Sequence, residues 1–220
     1  MVLFTLVIAW LLATVTLRYL HRHGRVRHPW HFDLAAIGVL ALVVLGTFWR
    51  VIAGQNWMPA DGGDLVSFLF PTYRFAASSL HSGHWPLWNP YLYGGAPHVG
   101  DIQAGFLYPP NLLLFLLWPD FPYAALQWMS IGHIWWAGAG MYLFLTRSLR
   151  LNRLPALVGA CAFMLSDLFF THFGNLNLIA VLSWRPGCSG RSPANWRSSA
   201  LVRTSQAPDW QKPTAVCGDE

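Results

Sequence analysis

The sequence predicts an all-α fold, a polytopic bundle of transmembrane helices with a large loop on the far side of the membrane. Hydrophobic residues make up 55% of the 220 residues and charged residues only 10%, whereas a soluble domain carries roughly 25% charged residues. Long apolar runs alternate with short arginine-rich turns, as in proteins that cross a bilayer repeatedly. The 13 tryptophans suit a chain anchored at two membrane interfaces.

Four apolar runs are the predicted spans, and they lie at residues 2–17, 34–53, 121–146 and 154–173. A helix of about twenty residues covers the roughly 30 Å hydrocarbon core. Arginines follow the first and third runs, so the positive-inside rule places those two turns in the cytoplasm. Orientation in a lipid membrane thus explains the net charge of +5, and we expect no nucleic-acid partner.

The segment 54–120 is predicted to be an extracytoplasmic loop, because it holds Arg74 as its one basic residue against four acids. Apolar residues at helical spacing predict a surface helix at 65–80. Prolines bound the apolar segment 111–118, which is too short to span and therefore predicts a half-inserted helix. The loop and the spans together form a predicted membrane domain over residues 1–184.

The tail 185–220 differs in composition from the rest of the chain, since it is rich in arginine, serine and proline. It is either a natural disordered tail or the product of a frameshift or premature end in a longer gene. The three cysteines of the chain form no CxxC metal spacing and suggest no disulfide framework.

Three aspartates of the loop are candidates for a catalytic or cation-binding role. Asp61 and Asp64 lie in a glycine-rich turn after the second predicted span, and Asp101 follows a glycine further along. A carboxylate at the mouth of a helical bundle can act as a general base or hold a divalent cation. Asp64 also directly precedes a predicted helix, and on spacing alone a capping role is the more frequent one.

Histidines and aromatic residues of the chain allow two further interpretations. His98 and its neighbouring loop histidines could ligate a metal, but their spacing matches no zinc signature, so the metal is left unassigned. His172 lies near the outer end of the last predicted span, where ionisable groups are costly and often functional. The aromatic cluster could stack on sugar rings, although composition favours interfacial anchors. Its members are Trp85, Trp88, Tyr91 and Tyr93.

One ordered series of motifs is more specific than these patterns. It reads Gly63-Asp64-Leu65, Phe70-Pro71-Thr72-Tyr73, Gly83-His-Trp-Pro-Leu-Trp-Asn-Pro-Tyr91, Gly94-Gly95-Ala-Pro97 and Gln103-Ala-Gly-Phe-Leu-Tyr-Pro-Pro-Asn111. The series resembles the bacterial YfhO-like membrane proteins, which are grouped with the GT-C glycosyltransferases. The resemblance covers about residues 58–183, and family members are much longer.

The resemblance implies a glycosyltransferase of the inner membrane, or its N-terminal fragment. Such an enzyme transfers a sugar from a polyprenyl-phosphate donor to an extracytoplasmic acceptor, and Asp64 would be the base that deprotonates the acceptor hydroxyl. A non-catalytic membrane scaffold or a transporter fragment is the alternative. The resemblance, together with the residue types, suggests as substrate or cation contacts Asp61, Arg74, Trp85, Trp88, Asn89, His98, Asp101, Gln103, Tyr108 and His172.

Overall fold

The computed structural model describes residues 10, 12, 14–16, 18–24, 30–60 and 63–188. Its helices are α1 (Trp30–Thr47), α2 (Trp49–Ile52), a π-helical segment (Leu65–Leu69), α3 (Phe70–His81), α4 (Pro109–Leu117), α5 (Tyr123–Arg147), α6 (Arg153–Met164), α7 (Asp167–Thr171) and α8 (Leu176–Cys188). Two short strands, β1 (Trp88–Asn89) and β2 (Ala96–Pro97), pair antiparallel.

The predicted fold class is wrong. The described part of the chain is mostly helical but includes a small sheet, so the fold is not all-α. Within it, only Trp30–Thr47 and Arg153–Thr171 are long and apolar enough to cross a membrane, and a polytopic bundle is not supported. These two segments overlap the predicted spans 34–53 and 154–173, whereas most of 2–17 lies outside the described residues.

The predicted span at 121–146 is the main error. Helix α5 occupies this segment and carries no charge before its final arginine, but it does not reach the hydropathy of a membrane span. Its uncharged polar residues Gln127, Ser130 and His133 lower that hydropathy, and all three side chains are buried inside the protein. The absence of charge is therefore a weaker sign of a membrane span than the content of apolar residues.

Helices α1, α5 and α6 form a helix layer, α7 joins its core through Phe169, and α8 packs on α5. At one end of the layer the Asp33 carboxylate lies between two arginines, with Oδ2 3.6 Å from Nη2 of Arg147 and Oδ1 3.9 Å from Nε of Arg153. At the other end the ring of Phe48 stacks on Phe170 and Phe173. These contacts show that α1 runs in the same direction as α6 and α7, with α5 running the opposite way between them.

Residues 63–121 form a second unit, which we call the lobe. Its core consists of apolar side chains from the π-helical segment, α3 and α4, together with the first turns of α5. The side-chain amide of Asn111 donates to the hydroxyl of Tyr73 at 2.8 Å and to the carbonyl of Gly105 at 3.0 Å. His81 donates through Nε2 to the carbonyl of Phe115 at 3.1 Å, so α3 and α4 are joined along their length.

The tail predicted at 185–220 begins inside a helix, because α8 continues as far as Cys188. The remainder of that tail lies outside the described residues. The segment 82–108 joins α3 to α4 and contains the β1–β2 hairpin, in which Trp88 faces Pro97 and Asn89 faces Ala96. This hairpin forms one wall of the site described next.

Candidate functional site

A cleft with a polar lining opens in the lobe between α3, the hairpin and the turn after α4. We call it the polar cleft, and its volume is about 540 Å³. Ligand pockets in proteins typically have volumes of about 300–1,000 Å³. The lining residues are Arg74, Phe75, Ser78, Ser79, Ser82, His84, Tyr91, Pro119 and Asp120.

The serines of the polar cleft come from one face of α3 and from Ser82, which directly follows its last residue. Arg74, Ser78 and Ser82 follow one another at four-residue intervals, which places them on the same side of a helix. The Ser82 hydroxyl donates to the Ser78 carbonyl at 2.9 Å, and its oxygen can still accept a hydrogen bond. The regular spacing of α3 therefore gives the cleft a row of hydroxyl groups.

The charges of the polar cleft form an ion pair. Arg74 Nη2 lies 2.8 Å from Asp120 Oδ1, and Arg74 Nη1 donates to the main-chain carbonyl of Phe121 at 3.3 Å. The Asp120 side chain is 84% exposed, so solvent screens this pair. The predicted contact residue Arg74 thus lies in the cleft, with its charge balanced by a carboxylate that sequence reasoning did not select.

Tyr91 is the aromatic residue at the mouth of the polar cleft. The main-chain amide of Tyr91 donates to the buried Asn89 side chain at 3.0 Å, and the Tyr91 ring meets Phe75 edge-on. Asn89, a predicted contact residue, therefore positions the tyrosine and does not itself line the cleft. The Tyr91 ring is 85% exposed and available to a ligand.

His98 lies behind the polar cleft and does not line it. Its ring is buried and packs edge-on against Phe75 and Phe106. Its Nε2 has no hydrogen-bond partner in the described structure. Burial lowers the pKa of His98, and the nearby Asp101 carboxylate opposes this shift only in part. We conclude that His98 is a neutral core residue here.

Asp101 and Gln103 form a turn of their own. The Asp101 carboxylate accepts the main-chain amide of Gln103 at 2.9 Å, and the Gln103 carbonyl accepts the side-chain amide of Asn177. The predicted second acid is therefore engaged in holding the loop to the start of α8. Neither residue lines the polar cleft.

Asp64 lies at the start of the π-helical segment. Its carboxylate is exposed and makes no capping hydrogen bond to the helix that follows. Ten residues of helical chain separate it from Arg74, a distance on the order of 15 Å. Asp64 therefore lies outside the polar cleft, and only an extended substrate would reach both. Asp61 lies outside the described residues.

Trp85 and Trp88 are exposed on the lobe, outside the lining of the polar cleft. The Trp85 ring meets Phe106 edge-on. The Trp88 ring leaves no room for a side chain at Gly95, and the φ of 121° at Gly95 is one that other residues rarely adopt. His172 donates through Nδ1 to the carbonyl of Leu168 in the preceding helical turn and does not line the polar cleft.

Tyr108 belongs to a separate pocket of about 320 Å³ between the lobe and the helix layer. Its hydroxyl lies 2.7 Å from Nε2 of His133 and accepts the indole N–H of Trp184 at 2.8 Å. Sequence reasoning selected Tyr108 but not His133 or Trp184. These partners lie 25 and 76 residues further along the chain, so no local motif could connect them.

In the described ranges, no group of three or more His, Cys, Asp or Glu side chains is placed to hold an ion. Comparison of the chain with protein-family models, curated proteins and solved structures finds no match. The polar cleft and the exposed carboxylates are the features of the described structure that indicate a function.

Proposed function

We propose that the protein works at a membrane as a GT-C-type glycosyltransferase or as a sugar-binding fragment of one. It would act on a sugar carried by polyprenyl phosphate, with an acceptor on the extracytoplasmic side. The polar cleft is the observation that supports this proposal. The motif resemblance to YfhO-like proteins gives the reaction type.

The chemistry of the polar cleft suits a carbohydrate. Serine hydroxyls donate and accept hydrogen bonds, as sugar hydroxyls do. Arg74 adds donors and Asp120 adds acceptors, while their mutual pairing leaves no net charge to favour an ionic ligand. The exposed Tyr91 ring offers an apolar face to the C–H side of a pyranose.

The position of Asp64 implies that substrate binding and proton removal occur at different places. A general base must lie within about 2.6–3.2 Å of the proton it removes, yet Asp64 lies on the order of 15 Å along the helix from Arg74. The cleft would hold a remote part of the substrate, and Asp64 would face the reacting hydroxyl. Binding energy from remote groups can lower a reaction barrier in this way.

The membrane placement belongs to the same proposal. Helix α1 and the α6–α7 segment are apolar enough to enter a bilayer, and we place them in the bacterial inner membrane with the lobe on the extracytoplasmic side. The exposed Ser82 provides the test. After replacement of the three native cysteines, Ser82→Cys should react with an impermeant maleimide on intact cells. Reaction only after permeabilisation would place the lobe in the cytoplasm.

A non-catalytic sugar-binding protein is the second candidate. Two observations favour it, because the Asp101 carboxylate is engaged in a turn and Arg74 is paired with Asp120. In that case the polar cleft would bind sugar and Asp64 would have no chemical role. The two candidates agree on binding and differ on turnover.

Binding is tested on the full chain in nanodiscs with a panel of mono- and oligosaccharides, by saturation-transfer NMR. Tyr91→Asn should weaken sugar binding about three- to tenfold, the usual size of one aromatic contact. Tyr93→Asn is the matched control, because Tyr93 is equally exposed but lies outside the cleft. Equal binding by both variants and the parent would remove the cleft from the proposal.

A further inference from the structure

A second cleft lies where α1 ends, and its chemistry differs from that of the polar cleft. We call it the Arg50 cleft, and its volume is about 630 Å³. One wall carries hydrogen-bond donors and the other wall is apolar. The lining residues are Thr47, Phe48, Trp49, Arg50, Val51, Gln55, Asn56, Trp57, Met58, Ala60 and Phe170.

The chain folds back on itself to build the donor wall. The main-chain amides of Gln55 and Asn56 donate to the carbonyl of Arg50 at 2.8 and 3.2 Å. This turn brings Gln55 and Asn56 into the lining of the same cleft as Arg50. The Arg50 guanidinium also lies over the Trp49 ring, 5.3 Å from its centroid.

Charge makes the Arg50 cleft selective for anions. Among the described lining residues Arg50 is the one that carries a charge, and no described carboxylate forms an ion pair with it. The guanidinium presents a planar fork of N–H donors that fits phosphate oxygens in a bidentate manner. The opposite wall, with Phe48, Val51 and Phe170, would repel a small hydrated anion but would accept an acyl or glycerol portion.

With α1 across the bilayer, the Arg50 cleft lies at the level of the lipid headgroups. Helix α1 has 18 residues, a length of about 27 Å that approaches the roughly 30 Å hydrocarbon core. Arg50 follows three residues after Thr47, the end of α1, and thus lies at the level of the headgroups. Trp49 and Trp57 flank it and are 51% and 59% exposed, as expected of interfacial tryptophans.

We propose that the Arg50 cleft binds the phosphate of a bilayer phospholipid. The guanidinium and the two carboxamides would hold the phosphate oxygens, and the apolar wall would cover the upper part of the lipid. This inference rests on the proposed placement of α1 in a membrane and is independent of sugar transfer. A free phosphate shares the headgroup chemistry but would leave the apolar wall without a partner.

The test compares variants of the full chain released from nanodiscs that contain phosphatidylglycerol, with bound lipid counted by native mass spectrometry. Arg50→Gln should weaken lipid binding about tenfold or more, as expected when hydrogen bonds to a charged group are lost. Arg50→Lys should retain part of it. Arg150→Gln is the matched control, because it removes the same charge from an exposed arginine outside the cleft.

Several results would overturn the proposal. Equal lipid retention by Arg50→Gln and Arg150→Gln would show that the cleft holds no lipid. Inorganic phosphate that displaces the lipid at equal concentration would assign the site to a free anion. A parent chain that does not incorporate into nanodiscs would refute the placement of α1. Sugar binding by the Tyr91 series is scored separately, so failure of the sugar proposal is distinguishable.

Discussion

The hydroxyl of Tyr108 donates a hydrogen bond of 2.7 Å to Nε2 of His133. Its direction follows from the other side of the imidazole, where Nδ1 lies 2.7 Å from the Met129 carbonyl, which can only accept. Burial lowers the pKa of His133, so the ring is neutral and its single proton is on Nδ1. The Trp184 indole donates to Tyr108 in turn. One oriented chain of hydrogen bonds therefore joins the lobe, α5 and α8.

The first prediction concerns the centre of this chain. Tyr108→Phe leaves the buried Nε2 of His133 without a donor, and an unsatisfied buried group costs about 1–3 kcal/mol. We expect the free energy of unfolding to fall by that amount, measured by denaturant titration of the detergent-solubilised chain. Trp184→Phe should cost less, because it leaves only the hydroxyl oxygen of the half-buried Tyr108 short of a donor, and water can supply one.

A double-mutant cycle provides the control. Combining Tyr108→Phe with His133→Phe removes both partners, so the second change should cost less than it does alone. Additive costs would mean that the hydrogen bond contributes nothing. A larger loss from Trp184→Phe than from Tyr108→Phe would also contradict this account.

The second prediction concerns the ion pair of the polar cleft. Arg74→Met removes the pair with Asp120 and the hydrogen bond to Phe121, so we expect a loss of about 1–2 kcal/mol in unfolding free energy. Asp120→Asn removes only the exposed pair and should cost below about 1 kcal/mol. Unfolding at low and at 1 M salt separates the two parts, since salt screens only the ion pair. Equal costs for both variants would contradict this division.

The spacing of apolar residues predicted which side chains are buried in the lobe, but not what they pack against. The helical spacing of Leu65, Leu69, Tyr73, Ala76 and Ala77 identified side chains that are buried together in the lobe core. A helix lying on a membrane would show the same pattern, so the sequence could not tell lipid from protein as the partner. The partner is α4, whose residues lie far from α3 in the sequence, so local spacing does not reveal the contact.

The polar cleft and the helix layer show where sequence reasoning ends. Arg74 was selected, but its partner Asp120 lies 46 residues later and is joined to it only by the fold. Helix α5 lacks internal charge and so resembled a membrane span, whereas its polar side chains Gln127, Ser130 and His133 are buried within the protein. The sequence alone does not show whether an uncharged polar residue faces lipid or is buried against other parts of the protein.

The third prediction is a pH dependence of the lobe. Unfolded histidine titrates near pH 6.5, and burial lowers the pKa of folded His98, with Asp101 opposing only in part. Between these two pKa values the unfolded chain binds more protons than the folded chain. The contribution of His98 is therefore fully present above about pH 6.5 and is lost as pH falls through the folded pKa.

This effect is measured by urea unfolding between pH 5 and 7.5. Hydrogen exchange of the main-chain amides in α3 and α4 serves as the readout. His98→Phe fills a similar space without a titratable proton, so the parent should lose more stability on acidification than the variant. The other histidines are common to both proteins and cancel in the comparison. Parallel pH profiles would show that His98 does not titrate in this range.

The last prediction concerns Asp64. Asp64→Asn keeps the shape of the side chain but cannot take a proton. If Asp64 is the general base, sugar transfer from a polyprenyl-phosphate donor by the reconstituted chain should fall about 10²–10⁴-fold. Unfolding free energy should change by less than about 0.5 kcal/mol, because the carboxylate is exposed and makes no capping hydrogen bond.

Rate and stability together decide the role of Asp64. A capping residue would give the opposite result, with transfer unchanged on Asp64→Asn and about 1 kcal/mol of stability lost on Asp64→Ala. Asp167→Asn is the matched control, because it neutralises another exposed acid that does not line the polar cleft. Parent-like transfer by Asp64→Asn would leave this chain without its candidate base and favour the non-catalytic sugar-binding function.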